Sequence, residues 1–276
     1  MSEKNKNLAL RLGTAAVLLP AVLWLLGKGG YFSAFLMAWA SATVTAEYYL
    51  ITMKRLSPVG FIGIAVAAAL PLFPAWKPEH AGDLALWSVA GFFMVAWAWN
   101  LMRDPLPDGP GRAAHLVTGL VYGGTGLTAL SGLRLHDQGL EWVVCALVIT
   151  WMNDTCAYFS GRFLGKRKLY PLVSPNKTWE GFFGGMAGSI GGLFITRIVF
   201  FPGLTVLDCL AVGAAGGVLG PVGDLVESML KRAYNVKDSG KVIPGHGGLL
   251  DRIDALIFNA PMVFVYVQFV RPLLSP

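Results

Sequence analysis

The chain has 276 residues, 55% of them hydrophobic and only 14% charged, with a formal net charge of +6 and a mean hydropathy of +0.58. A soluble domain carries about 25% charged residues, so this composition excludes a soluble globular protein and implies an integral membrane one. The excess positive charge then suits anionic lipid headgroups or phosphates at a membrane surface, with no call for nucleic acid.

Lipid offers no partners for unpaired backbone groups, so the spans must be helices or a closed barrel. Apolar stretches run about 20 residues here instead of alternating over about 10, which favours helices. The predicted fold class is all-α and polytopic, with about nine membrane-spanning helices: 8–27, 31–51, 58–75, 83–102, 113–133, 140–161, 180–201, 205–230 and 253–271. The first is too long for a removed signal peptide and lacks a small-residue cleavage pattern. The third is short and holds Pro71 and Pro74. Cys145, Cys156 and Cys209 fall inside spans without CxxC spacing and read as small packing residues.

Lys and Arg distribution sets the orientation. Taking the N-terminus and alternate loops as one side, that side holds 17 of the 22 basic residues, among them Lys4, Lys6, Arg11, Lys54 and Arg55. The N-terminus is therefore expected in the cytoplasm. Two regions separate by composition: a scaffold over 1–138, and a catalytic region over 139–276 with cytoplasmic loops at 162–179 and 231–252. Glycine concentrates in the second region, at 181–192 and 213–223, where small residues let helices approach closely. Pro221 is expected to kink the eighth span just before Asp224.

Chemistry-bearing residues gather at the predicted cytoplasmic ends of the last four spans. Asp224, Glu227 and Ser228 share one helix face, which Lys231 continues into the headgroup region. Asp251 and Asp254 open the last span at i,i+3. Two helix ends can thus aim several carboxylates at one point, where a divalent cation resolves their repulsion; hard oxygen ligands beside phosphates favour Mg²⁺. The alternative is salt-bridging to Lys231, Arg232 and Arg252. In the loop, Lys231, Arg232, Lys237 and Lys241 supply charge, and Gly245, Gly247 and Gly248 supply N–H groups, together the parts of an anion cradle. His246, flanked by glycines, is read as a phosphate hydrogen-bonder. In the segment SPNKTWEG, Ser174 and Lys177 are placed to grip a phosphate and Thr178 to cap a helix, with Glu180 in its first turn. Asp154, inside the sixth span near Asn153, Thr155 and Tyr158, is a further candidate because intramembrane acids are costly. Glu47, at the cytoplasmic end of the second span, is a lesser candidate whose simpler reading is a pair with Lys54 or Arg55.

Residues 228–254, SMLKRAYNVKDSGKVIPGHGGLLDRID, resemble the signature of the CDP-diacylglycerol synthases, or phosphatidate cytidylyltransferases. The match runs through Ser228, Lys231, Arg232, Lys237, Asp238, Gly240, Ile243, Pro244, His246, Gly247, Gly248, Asp251, Arg252 and Asp254. DTCAYFSGR and SPNKTWEG extend it over about 154–254, with Asn176 standing where many relatives carry another residue, commonly lysine.

The resemblance implies that CTP and phosphatidate give CDP-diacylglycerol and pyrophosphate in phospholipid biosynthesis, at the cytoplasmic face of the inner membrane. It implies metal ligation by Asp224 and Asp251, with Asp254 and Asp238 in support; Glu227 is a further ligand candidate from the shared helix face alone. Phosphate neutralisation would fall to Lys177, Lys231, Arg232 and Lys237, with Ser174, Thr178, Ser228, His246, Gly247, Gly248 and Arg252 completing the substrate contacts. It also implies Mg²⁺, in some members a monovalent cation beside it, and often a homodimer among membrane lipids. Rival readings are another lipid phosphotransferase, such as a polyprenol kinase, or an anion transporter. The D-x2-D-G-x2-A-R motif of the CDP-alcohol phosphotransferases is absent. A transporter would place its binding groups near the bilayer midplane, whereas these acids sit at helix ends.

Overall fold

The structure, a computed structural model, describes residues 3–274, with backbone only for residues 3–9, 11 and 15. The charges of Lys4, Lys6 and Arg11 used for orientation therefore lie outside the described residues. Its helices are α1 (Glu3–Lys28), α2 (Gly30–Met53), α3 (Pro58–Ala69), α4 (Phe73–Trp76), α5 (Ala81–Leu101), α6 (Gly109–Leu135), α7 (Gly139–Leu164), α8 (Trp179–Val199), α9 (Val206–Ala233), α10 (Leu250–Val265) and α11 (Arg271–Leu274). Two short strands, β1 (Lys168–Tyr170) and β2 (Ser174–Thr178), form an antiparallel hairpin between α7 and α8.

The protein is an all-helical polytopic membrane protein. Among the described residues, seven stretches are long and apolar enough to cross a bilayer: Pro58–Trp76, Pro78–Leu101, Leu106–Leu135, Gly139–Leu164, Trp179–Val199, Val206–Ala233 and Leu250–Leu274. They occupy the last seven of the nine expected positions. α1 and α2 fill the first two but are not among the seven. The hairpin replaces what reads in the sequence as plain loop, because Pro171 and Pro175 punctuate the segment and keep it extended.

The chain divides into two compact units, one comprising residues up to Leu135 together with Tyr234–Arg252, the other His136–Ala233 together with Ile253 onward. Segment 234–252 follows the main stretch of the second unit in the chain yet belongs to the first.

In the first unit, α2 packs on α6 and α3. Gly119 and Gly123 on α6 make this approach possible, since a Cβ there would collide with the Tyr49 ring or with Thr45. Pro71 cannot donate to the carbonyl of Ala67, and the Ser41 hydroxyl of α2 donates to that carbonyl instead (2.7 Å). The carbonyl of Pro71 accepts from the Ser131 hydroxyl (2.6 Å). The proline pair breaks the third span into α3, a 3₁₀ turn and α4, and these hydroxyls repair the ladder.

In the second unit, α8 lies against both α7 and α9. Gly184, Gly188 and Gly192 form one stripe of α8 against Ser160, Cys156 and Met152 of α7, while Gly213 and Gly217 of α9 meet the backbone of Ile190 and Met186 on α8. The glycine-rich segments thus serve close packing. Several buried polar groups pair across helices: Asn153 donates to the Ser189 hydroxyl (3.2 Å) and Asn259 to that of Thr150 (2.9 Å). Asp208, 2% exposed, accepts from Tyr266 (2.7 Å) and pairs with Arg271 (3.4 Å). All three cysteines are free.

Candidate functional site

The hairpin delivers a lysine to an acid. Thr178 ends β2 and caps α8, its hydroxyl accepting from the N–H of Gly181 (3.1 Å), and Glu180 in the first turn accepts from the N–H of Arg167 (3.2 Å). Gly161 and Gly181 let α7 and α8 close around that cap. With the strand end fixed, Lys177 reaches α9, where its ammonium lies 2.6 Å from Oδ2 of Asp224. The other oxygen of Asp224 accepts from Ser228 (3.2 Å), so the expected shared face holds.

Over this pair opens a cavity of about 480 Å³, lined by Asn153, Asp154, Tyr158 and Arg162 of α7, by Asn176, Lys177 and Thr178, by Phe182 of α8, and by Pro221 and Asp224 of α9. Arg162 donates to the Tyr158 hydroxyl (2.6 Å). Asp254 lies near enough to feel the charges of Asp224, Asp154 and Lys177, and its Oδ1 accepts from the N–H of Ala255 (2.8 Å). Three carboxylates and one ammonium thus share this end of the unit. An anionic ligand there would meet Lys177 and Arg162, and a hard cation would meet aspartate oxygens.

Other predicted residues stand elsewhere. Ser174 opens β2 opposite Tyr170 and is not among the cavity-lining residues, while the Thr178 hydroxyl serves its helix. Glu227, 2% exposed, pairs with Lys231 at 2.6 Å, so the salt-bridge alternative describes it. Arg232 closes the last turn of α9, where a cation complements the helix dipole. Among the described residues, no three His, Cys, Asp or Glu side chains are gathered as a ready-made metal site. Of the acids expected to converge, Asp224, Glu227 and Asp254 belong to the second unit and Asp251 to the first.

Segment 234–252 of the first unit is folded as tightly as the sequence is glycine-rich. The carbonyl of Ile243 accepts from His246 N–H (2.9 Å) and Gly247 N–H (3.2 Å), and Ile243 N–H donates back to Gly247 (3.0 Å). Gly245 and Gly247 take φ of 76° and 88°, a region that side chains disfavour. Oδ2 of Asp251 accepts from the N–H and hydroxyl of Ser239 (2.9 Å each) and from Gly248 N–H (3.1 Å). The N–H groups of Gly247 and Gly248, expected as parts of an anion cradle, are engaged inside the loop. Arg252 donates to the carbonyl of His246 (2.6 Å), while Lys237, Asp238 and Lys241 are exposed.

Glu47 does not take the expected pairing with its basic neighbour Lys54. Lys54 donates to the carbonyl of Tyr234 (3.1 Å), and Glu47 accepts from Leu249 N–H (2.9 Å), Leu250 N–H (2.8 Å) and the Ser239 hydroxyl (3.2 Å). The available signal was an acid within an apolar span, the cue that flagged Asp154. Arg162, which closes the DTCAYFSGR segment, and Asn176 also line the cavity.

The chain belongs to the cytidylyltransferase family, whose profile matches residues 9–270. It is 33% identical over 265 residues to the phosphatidate cytidylyltransferase of Staphylococcus aureus (strain COL), covering 91% of this chain and 95% of that protein. The phosphatidate cytidylyltransferases of Staphylococcus epidermidis (strain ATCC 12228 / FDA PCI 1200) and Staphylococcus saprophyticus subsp. saprophyticus are each 33% identical over 258 residues, with the same coverage.

Proposed function

We propose that this protein is a phosphatidate cytidylyltransferase. A phosphate oxygen of phosphatidate attacks the α-phosphorus of CTP, the bond from that phosphorus to the β-phosphate oxygen breaks, and CDP-diacylglycerol and pyrophosphate result. The observation that carries this reading is the Lys177–Asp224 pair at 2.6 Å over a cavity edged with further acid and base. The attacking oxygen is already anionic, so no strong general base is needed. The difficulty lies in bringing two polyanions together and stabilising the departing pyrophosphate.

Lys177 answers that need within the cavity, and we assign Lys231, Arg232 and Lys237 to the same task of neutralising phosphates. Asp224 and Asp254, with Asp154 beside them, are the oxygen donors assigned to Mg²⁺. The donor set fits, because Asp154 and Asp224 line the cavity beside Lys177 and Mg²⁺ is usually held by one or two carboxylates plus substrate phosphates and water. Bound Mg²⁺ would supply charge neutralisation at the transferring phosphoryl group. Asp251 and Asp238 complete the acids assigned to the reaction. Ser174, Thr178, Ser228, His246, Gly247, Gly248 and Arg252 are assigned to holding the substrates in place, some through the loop they build. The charge asymmetry of the sequence supports a cytoplasmic site in the inner membrane, and the resemblance supports a homodimer and a monovalent cation beside Mg²⁺.

The test is radiolabelled CTP with phosphatidate in detergent micelles, following lipid-soluble label and pyrophosphate together. Both are expected in equal amounts, and EDTA is expected to stop both. ATP as the effective donor would favour a lipid kinase, and phosphate uptake into vesicles without pyrophosphate release would favour a transporter. Full activity in a metal-free preparation would remove the carboxylates from cation binding.

A further inference from the structure

Glu47 is 3% exposed and is the sole acid of α2. Its two oxygens divide the work at the start of α10: Oε1 accepts from Leu249 N–H and Oε2 from Leu250 N–H, at 2.9 and 2.8 Å. The first N–H groups of a helix have no partner within it, and its positive end favours an anion. Here the anion comes from a residue 202 positions earlier in the chain. Oε2 also lies 3.2 Å from the hydroxyl of Ser239, which lies 2.9 Å from Oδ2 of Asp251. That hydroxyl has one hydrogen for two carboxylates, so Glu47, Ser239 and Asp251 act as one linked set. The fit leaves no slack: a Cβ on Gly240 would strike the Glu47 carboxylate, and one on Gly248 would strike the Ser239 hydroxyl.

We propose that Glu47 is a positioning residue for the transfer reaction, fixing the junction of loop and helix and with it the direction of the Asp251 carboxylate. This rests on the functional reading above, in which Asp251 serves the reaction. Both Glu47 oxygens must be acceptors, because glutamine would turn an NH₂ group toward one of the two backbone N–H donors.

The experiment compares full-length wild type, Glu47→Gln and Gly240→Ala in detergent. Trypsin cleavage at Lys237 and Lys241 reports the loop, and steady-state kinetics with varied CTP report the reaction. In both variants cleavage is expected to quicken about tenfold as the junction opens more often. kcat is expected to fall about 100-fold, the scale of a displaced reacting group, with the KM for CTP within about threefold of wild type. Glu47→Asp, which keeps two acceptor oxygens, is expected to restore part of the kcat. Wild-type cleavage rates in Glu47→Gln would overturn the proposal, and so would rapid cleavage with wild-type kcat. A wild-type enzyme that makes no CDP-lipid would instead sink the functional reading, and the cleavage comparison would still decide whether Glu47 holds the junction.

Discussion

Replacing Lys177 with Met tests the cavity's charge balance directly. At 2.6 Å the Coulomb attraction between Lys177 and Asp224 is about 6 kcal/mol at an effective dielectric of about 20. The two side chains are 24% and 36% exposed, and desolvation with solvent screening returns most of that, leaving about 1–2 kcal/mol net. Lys177→Met should therefore lower the thermal midpoint by about 2–8 °C. The larger effect falls on the reaction, because the cavity loses its ammonium while Asp154 and Asp224 remain. Turnover should drop about 100- to 1,000-fold, the usual cost of removing one donor aimed at developing charge. Asp224→Asn in the Lys177→Met background restores the local charge balance, so it should recover part of the lost midpoint without recovering turnover. Differential scanning fluorimetry and the radiolabelled-CTP assay on the two single variants and the double variant complete the cycle. Turnover within about threefold of wild type in Lys177→Met, or midpoint losses that simply add in the double variant, would refute the reasoning.

Asp251→Asn should abolish turnover while the protein stays folded, since the remaining carbonyl oxygen can still accept from the loop donors; near-normal activity with normal CTP dependence would take Asp251 out of the reaction. Lys231→Met removes the 2.6 Å ion-pair partner of the buried Glu227 and should cost about 3 kcal/mol of stability. Adding Glu227→Gln should recover much of that loss, which thermal unfolding in detergent would show.

Much of the fold was legible because lipid imposes one simple rule on long apolar stretches. All nine predicted positions carry helix. The helix cap at Thr178, the Asp224–Ser228 pairing and the packing role of the glycine segments could likewise be read from short spacings. What the sequence hid was long-range pairing. Glu47 has basic neighbours at 54 and 55, and nothing in the local pattern says that its carboxylate turns instead to Leu249 and Leu250. The glycines at 247 and 248 look like open N–H donors until Ile243 and Asp251 are seen to accept from them. Asp224 and Glu227 share a helix face and an acidic side chain, yet one meets a lysine brought by the hairpin and the other a lysine one turn along its own helix.

The interleaving of the two units bears on how this protein can be dissected or recombined. A gene cut after codon 135 would yield an N-terminal fragment whose Glu47 has lost Ser239, Leu249 and Leu250, and a C-terminal fragment carrying those partners as an orphan segment. Chimeras between relatives should accordingly exchange residues 1–135 and 234–252 as a single block, because a crossover anywhere between them separates a buried anion from the donors it was matched to.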